Sequence, residues 1–467
     1  MFNYMRRGRG FYRDVFMLAM PIILQNLIMT GLGMLDIFMV GILGEAPMAA
    51  VTIANAPIYA IDLLVFGLMS GSQVLISQYW GKQDREAINR VFGIGIMFSC
   101  AVTIAFSVVC IAVPRQFMAL FCNDQSLIDL AAEYLRFAGP SYIVHGCVGV
   151  YVGAYRGMES PKIGLYIFTA AVCINSVLNW GLIFGKLGFP ALGVEGAALA
   201  TLISRVAEFL IMIVHIKTSK FFKVEPKLVF APGIPMVKRF IKYCTPVVIN
   251  ETMWGLGTSM YPTIMGHMEN SKEILAAFTI AGNVEKVCTV AIFGVAAAAA
   301  TIIGREIGRG KKENVYHVGQ ALVTVAFIVG SVISVAMIVL IFTFIEPVIY
   351  PLFKLSPMSA EIATMMIFFT FAFVAFRGTN SSLIVGVLRG GGDVKRAALI
   401  DILPLWLVAI PMAAVCGIVL KKGVLWVCLA MVVEIMVKFI LGIQRFRSKK
   451  WINDVTEGHY PQDEIIL

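Results

Sequence analysis

Long apolar segments recur along the whole chain and are separated by short polar loops. A helix that crosses a bilayer needs about 20 consecutive, mostly apolar residues, and several windows of this sequence exceed that length. We predict twelve transmembrane helices, at residues 15–41, 48–80, 91–113, 127–152, 162–186, 194–217, 238–265, 275–303, 315–345, 359–385, 396–420 and 423–446. The pattern therefore predicts an all-α integral membrane protein.

Composition supports this class. Of the 467 residues, 59% are hydrophobic and only 14% are charged, whereas a soluble protein carries about 25% charged residues. The nine cysteines lie mostly within apolar segments and show no CxxC spacing. Small reduced thiols in apolar surroundings behave as hydrophobic residues, so we expect neither a disulfide framework nor a cysteine metal site.

Basic residues predict the orientation of the helices. The N-terminus reads MRRGRGFYR, and the predicted loops on its side include KTSKFFKVEPK between the sixth and seventh helices. By the positive-inside rule, both termini of this multi-pass protein face the cytoplasm at the cell membrane. The net charge of +10 favours contact with anionic membrane lipids. Because the basic residues are dispersed over membrane-flanking loops, we expect no nucleic-acid partner.

The two halves of the sequence align with each other. AMPIILQNLIMTGLGMLDIFMVG, from residue 19, runs parallel to CTPVVINETMWGLGTSMYPTIMG, and VGAYRGMESPK runs parallel to VGVLRGGGDVK. The expected organisation is a six-helix bundle at 1–217, a cytoplasmic linker at 218–237, a second six-helix bundle at 238–446 and a cytoplasmic tail at 447–467. An even number of helices per half requires a pseudo-two-fold axis along the membrane normal, and such repeats favour a transporter.

Several stretches resemble one known family. They are Pro21 to Gly41 with Asp36, NSVLNWGLIFGKLGFPALGVEGAALAT from Asn175 to Thr201, and GVLRGGGD. With these segments the sequence resembles the multidrug and toxic compound extrusion (MATE) transporters of prokaryotic type. The resemblance implies a monomer whose central cleft binds small-molecule drugs or organic cations. It also implies export by alternating access, driven by inward flow of H⁺ or Na⁺, with no other cofactor.

Two other classes of function serve as alternatives. A lipid or lipid-linked oligosaccharide flippase could use the same architecture, and it would need cations such as Arg136, Arg205, Lys286 and Arg377 to line one cavity. A membrane enzyme would need a clustered catalytic set. The sequence contains no HExxH motif and no phosphate-binding loop, and its histidines are scattered. We therefore do not expect an enzyme.

Asp36 lies within an apolar segment, where an ionised carboxylate costs several kcal/mol unless it is paired, hydrated or protonated. It matches the acid that the family carries in its N-terminal bundle. Asn175 and Asn179 share one face of the fifth helix and match family positions near that acid. We predict that these three residues couple the ion, and that a carboxylate with amide oxygens could hold Na⁺. Many relatives have an aspartate at the position of Asn179, so here one carboxylate would do the work of two.

Glu251 matches a glutamate found in the seventh helix of several family branches, and we predict that it also takes part in ion coupling. Its expected partners are Asn283, Glu285, Lys286 and Arg377. The predicted substrate cavity is lined by Asp36, Tyr142, Thr201, Glu251, Asn283 and Arg377.

Other charged residues have spacings typical of structural roles. Arg205 and Glu208, and likewise Glu434 and Lys438, are spaced to pair along one helix. Asp62 and Asp401 could line the cavity or cap helix breaks. At the equivalent turns of the two halves, Arg156 and Arg389 are expected either to anchor loops at the membrane or to gate the inner side.

Overall fold

The computed structural model describes residues 8–353 and 355–457. Within these ranges the chain forms twelve long helical segments, which we label in chain order. They are α1 Arg9–Gly41, α2 Glu45–Lys82, α3 Arg85–Ala112, α4 Gln125–Gly157, α5 Lys162–Phe184, α6 Gly193–Thr218, α7 Ile234–Gly266, α8 Ser271–Gly308, α9 Lys312–Ile349, α10 Pro357–Ala372 with Val374–Leu388, α11 Val394–Val419 and α12 Val424–Arg447. Residues 458–467 of the predicted tail lie outside the described part.

The predicted all-α membrane class is confirmed. In the described part of the chain, nine helices are long and apolar enough to cross a bilayer, and α10 makes ten when its two segments, bent by 49°, count as one. The two remaining helices, α4 and α7, have 33 residues each and occupy predicted spans without meeting that criterion.

Local sequence signals set several helix ends. Asp84 caps α3, where its carboxylate accepts a hydrogen bond from the Ala87 amide at 2.9 Å. Asp124 caps α4 in the same way. Such caps satisfy amides that lack a partner in the first turn. At the end of α5, Gly185 adopts a φ of 66°, a left-handed conformation that glycine adopts without steric cost.

The internal repeat is visible in the packing of the helices. In the first half α1 packs on α5 and α2 on α4, and in the second half α7 packs on α11 and α8 on α10. A Cβ atom on Gly67 of α2 would lie 2.7 Å from the Cα atom of Val248 on α7. At the position that the repeat makes equivalent, a Cβ atom on Gly294 of α8 would lie 2.3 Å from the side chain of Ile23 on α1. The same close approach therefore joins the two halves twice.

The segment between α6 and α7 is held against the first half. Phe222 and Val229 are buried in the core around α2 to α4. The side chain of Asn89 on α3 donates to the Lys223 carbonyl and accepts from the Glu225 amide. This polypeptide includes the short helix Pro226–Phe230 and is therefore fixed to α3.

The two halves touch closely at one end of the molecule. There, near the C-terminal ends of α2 and α8, a Cβ atom on Gly304 would lie 1.9 Å from the Ser77 hydroxyl, and one on Gly308 would lie 2.0 Å from the Gln78 carbonyl oxygen. Only glycine permits helices to approach so closely. We call this the closed end. Toward the other end, residues 31–38 of α1 are exposed or half-buried, and we call it the open end.

Candidate functional site

A polar cluster joins three helices of the first half toward the open end. The Asn179 amide on α5 donates to the Asp36 carboxylate on α1 at 2.6 Å and to the Asn175 carbonyl oxygen at 2.8 Å. Asn175 in turn donates to the Ser204 hydroxyl on α6 at 3.3 Å. The predicted trio of Asp36, Asn175 and Asn179 is thus brought together, and a fourth polar residue extends it.

Helix geometry explains this arrangement. Asn175 and Asn179 are four residues apart and so project from one face of α5, which packs against both α1 and α6. The two asparagine side chains are buried, with 2% and 1% exposure, whereas Asp36 is half-buried. The Asn179 side-chain oxygen is buried and has no hydrogen-bond partner among the described atoms. A protonated Asp36 or a bound cation could satisfy that oxygen.

Four acids of the second half have cationic partners instead. Glu251 on α7 forms an ion pair with Arg389 on α10 at 2.6 Å, and Asp401 on α11 pairs with Lys438 on α12 at 2.7 Å. The remaining contacts complete a network: Glu285 pairs with Arg377, Glu434 with Lys438, Asn250 donates to Asp401, and Tyr261 donates to Glu434. A fixed pair keeps a carboxylate ionised in apolar surroundings.

The structure gives Glu251 a partner that the sequence analysis did not name. Arg389 is only 2% exposed and reaches both Glu251 and the Ser70 hydroxyl of α2, at 2.6 and 3.0 Å. Arg377 is engaged by Glu285, while Asn283 and Lys286 are exposed. The predicted set of partners for Glu251 was therefore wrong, because α10 brings Arg389 to it.

The expectation that Arg156 and Arg389 anchor loops at the membrane was also wrong. Arg156 is 5% exposed, and its Nε atom is buried with no hydrogen-bond partner among the described residues. Both arginines end the fourth helix of their half, where the closely packed halves exclude them from headgroups.

Two predicted intrahelical pairs are confirmed. Arg205 contacts Glu208 at 2.8 Å, and Lys438 contacts Glu434 at 2.8 Å. Of the four cations named for a flippase, Arg205 and Arg377 are each engaged by an acid, whereas Arg136 and Lys286 are exposed. Asp62 lies 3.4 Å from His145.

The remaining predicted cavity residues are spread over both halves. Tyr142 is buried and packs edge-on against Phe106. Thr201 lies beside the Asp36 cluster, because its carbonyl accepts from the Ser204 hydroxyl at 2.9 Å while its own hydroxyl donates to the Ala197 carbonyl. Asn283 is exposed on α8. A separate groove of about 620 Å³ opens between α9 and α10. It is lined by Phe342, Glu346, Tyr350, Ala360, Glu361, Thr364, Met365 and Phe368.

Three residues near the predicted sites were missed. Ser204 bonds Asn175, Tyr134 lies close enough to Asp36 to interact with it electrostatically, and Arg389 pairs with Glu251. Ser204 could have been found from the sequence, because it follows Thr201 by three residues and so lies on the same face of α6. The other two contacts depend on how distant helices pack, which spacing does not reveal.

Comparison with known proteins identifies the family. The MatE family profile matches residues 21–181 and 247–415, which cover both repeats and most of the chain.

The chain belongs to the MatE family.

Curated relatives of this MatE protein match over nearly its full length. A probable multidrug resistance protein NorM from Thermotoga maritima is 26% identical over 440 residues, covering 94% of this chain and 93% of the relative. An uncharacterized transporter, YisQ from Bacillus subtilis, is 25% identical, covering 94% of this chain and 95% of the relative. The chain is therefore a multi-span membrane transporter of the multidrug efflux type.

Solved structures share the fold of this MatE protein. A MOP superfamily transporter from Pyrococcus furiosus superposes with a TM-score of 0.84 at 20% identity, covering 97% of this chain and 98% of that one. An outward-facing MATE family transporter gives 0.83 at 19% identity, with 94% and 96% covered. These neighbours support the predicted architecture of twelve helices in two lobes.

Proposed function

We propose that this MatE protein is an antiporter that exports amphipathic, often cationic, small molecules in exchange for H⁺ or Na⁺, with Asp36 as the coupling residue. The observation that carries the proposal is the set of partners around Asp36. Its described hydrogen bond comes from a neutral amide, whereas Glu251, Glu285, Asp401 and Glu434 each face an arginine or lysine. The charge of Arg205 also acts on Asp36, but Arg205 is paired with Glu208 instead. A carboxylate that no arginine or lysine contacts directly, among the described residues, is free to gain and lose a cation.

The geometry allows either cation. A proton on Asp36 could be donated to the buried, unpartnered oxygen of Asn179. A sodium ion could instead bind the carboxylate together with amide and hydroxyl oxygens, which are ligands suited to a hard cation. The Asp36 group contains one carboxylate, so it supplies one negative charge to either cation.

Alternating access follows from the two ends of the molecule. The closed end joins α2 to α8, and the Asp36 cluster lies toward the open end. Because Lys and Arg concentrate on loops at the closed end, we propose that this end faces the cytoplasm. Occupancy of Asp36 would then favour one access state through its different affinity in the two states.

The substrate class rests on the relatives and on the charge of Asp36. The NorM relatives are named for multidrug resistance, and the half-buried Asp36 lies toward the open end. A negative charge beside apolar surface suits an amphipathic cation. Because Arg205 and Arg377 are each engaged by an acid, these two arginines offer less support for an anionic lipid headgroup as substrate.

The test is efflux of a fluorescent cationic dye from vesicles that contain the purified protein, with H⁺ and Na⁺ gradients imposed separately. We expect one gradient to drive efflux in the parent and Asp36→Asn to reduce the driven rate at least about tenfold, within the usual range of coupling energies. Glu346→Gln is the matched control, because Glu346 bonds only Thr364 in the distant groove. Gradient-driven efflux that survives Asp36→Asn would overturn the proposal.

A further inference from the structure

The chain that follows α12 crosses the closed end from one half of the molecule to the other. After Arg447 it turns at Lys449, where φ is 58°. Residues 450–457, which we call the tail segment, then run beneath the α10–α11 turn and reach the end of α2. The function assigned above does not use this segment.

The base of the tail segment is fixed to the second half. Trp451 is fully buried, its indole nitrogen donates to the Phe446 carbonyl at 2.9 Å, and its ring stacks on Phe446. A Cβ atom on Gly391 would lie 2.4 Å from the tryptophan ring. The Asn453 amide also donates to the Gly391 carbonyl at 2.8 Å. These contacts all belong to α10, α12 and the turn after α10.

The tip of the tail segment, Asp454 and Val455, is attached to the first half. Val455 is 1% exposed and belongs to the apolar core of the N-terminal half. The fully buried Gln78 of α2 accepts from the Val455 amide at 2.8 Å and donates to the Asn453 carbonyl at 3.1 Å. Lys82 at the end of α2 pairs with Asp454 at 3.2 Å. Beyond the tip, the Thr456 carbonyl accepts from Arg239 on α7, and Glu457 pairs with Lys312 on α9, both in the second half.

The tail segment thus spans the contact that must break when the closed end opens. Gln78 is the same residue whose carbonyl oxygen lies against Gly308 of α8, and its side chain also donates to the Gly390 carbonyl at 3.2 Å. Moving α2 away from α8 separates Gln78 from the tail segment, unless the segment leaves its tryptophan anchor. The anchor buries a large aromatic side chain, so the tip is the weaker attachment.

Resting on the alternating access proposed above, we propose that residues 450–457 form a latch that fastens α2 to the second half and releases it whenever the closed end opens. The latch stays attached to the second half through Trp451 and detaches from the first half at Asp454 and Val455. It stabilises the state in which the closed end is shut.

The carboxylate of the ion pair in the latch stays charged near neutral pH. Burial alone raises the pKa of Asp454, but hydrogen bonds from Thr456 and the nearby Lys82 outweigh it and lower that pKa below its ordinary value. A carboxylate with a depressed pKa contributes its stabilisation above its ordinary pKa and loses it only as pH falls through the lower value. Asp454 therefore remains charged near neutral pH, and the latch responds to helix movement instead.

Two lysines provide a matched test. Lys82 on α2 faces Asp454, and Lys312 on α9 faces Glu457 at 2.7 Å. Each is a lysine opposite a carboxylate of the tail segment, but only the first joins it to the opposite half. Hydrogen exchange would be measured by mass spectrometry on the full-length protein in lipid nanodiscs, comparing Lys82→Glu, Lys312→Glu and the parent.

We expect Lys82→Glu to raise the rate of amide hydrogen exchange about fivefold in the tail segment and in the facing ends of α2 and α8. The increase is modest because the ion pair that is lost is partly exposed. Lys312→Glu should leave the ends of α2 and α8 unchanged. Val455→Asp, which places a carboxylate in the buried tip, should produce a larger increase in the same peptides.

Release of the tail segment in Val455→Asp with α2 and α8 still protected would overturn the latch and make the segment a passive cover. An equal rise in the C-terminal part of α5 around Asn179, which lies toward the open end with Asp36, would mark general unfolding and also count against it. The experiment needs no substrate or gradient. Its failure would therefore leave ion coupling at Asp36 to be decided by dye efflux.

Discussion

In the first half of the molecule Asp36 accepts a hydrogen bond from the amide of Asn179, whereas in the second half Glu251 pairs with an arginine that is 2% exposed. The repeat places Tyr261 where the first half has Asp36, and Tyr261 donates to Glu434. It also places Asn26 where the second half has Glu251. The two repeated bundles thus differ: Asp36 of the first accepts from an amide, and Glu251 of the second is paired with an arginine.

The equivalent arginines show the same divergence. Arg389 bonds Glu251 and Ser70. In the repeat, the position of Glu251 corresponds to Asn26 and that of Ser70 to Ala297, so Arg156 has neither an acid nor a hydroxyl at these two positions. The charge of Glu251 is therefore fixed by an ion pair, whereas Asp36 has no direct ion pair among the described residues. The proposed exchange of a coupling ion requires a carboxylate of the kind represented by Asp36.

The largest expected effect is a loss of stability when the ion pair between Glu251 and Arg389 is broken. Arg389→Ala leaves Glu251 buried without its partner, which should lower the free energy of unfolding by about 3–5 kcal/mol. Thermal unfolding of the purified protein in detergent would measure it. Arg156→Ala is the control, because it removes a buried arginine without stranding an acid. Equal losses for both variants would contradict the distinction between the halves.

A second carboxylate beside Asp36 tests whether the coupling cation binds in the first half. Asn179→Asp places two acids at the separation now spanned by the 2.6 Å hydrogen bond to Asp36. Because cation affinity rises with the number of charged ligands, we expect about tenfold tighter binding of the coupling cation, or about 1.4 kcal/mol. The cation concentration at half-maximal dye efflux would report it. An unchanged value would show that the coupling cation does not bind between these residues.

A smaller effect on stability than that of Arg389→Ala is expected from the supporting amide. Asn175→Ala removes the oxygen that accepts from Asn179 and the amide that donates to Ser204, so Asn179 would be less firmly oriented toward Asp36. We expect a loss of about 1–3 kcal/mol in unfolding free energy, the usual value of two hydrogen bonds. Ser176→Ala, which breaks only a bond to the Val172 carbonyl in the same helix, is the control. A greater loss in the control would argue against a polar cluster around Asn175.

The smallest effect on stability should come from the acid itself. Asp36→Asn replaces a carboxylate that has no fixed cation with an amide that can still bond Asn179. We expect the unfolding free energy to change by less than about 1 kcal/mol, even though coupled efflux is lost. A loss comparable to that of Arg389→Ala would mean that Asp36 is a structural group.

Much of the fold could be predicted from the sequence, because apolar length specifies a membrane helix without knowledge of its neighbours. The meeting of Asp36 with Asn175 and Asn179 was also predicted, from a shared helical face and the family resemblance. The pairing of Glu251 with Arg389 was not, since 138 residues separate them and only the packing of α7 against α10 joins them. The bend of 49° within α10 was not predicted either, because the hydropathy of the sequence varies little across the bend.

The most direct test of the central claim is to count the cations displaced when a cationic dye binds to the purified protein in detergent. Proton release into weak buffer and displacement of radioactive sodium would be measured for the parent, Asp36→Asn and Glu251→Gln. We predict that the parent and Glu251→Gln displace the cation and that Asp36→Asn does not. Displacement that persists in Asp36→Asn and disappears in Glu251→Gln would place coupling in the second half and contradict this account.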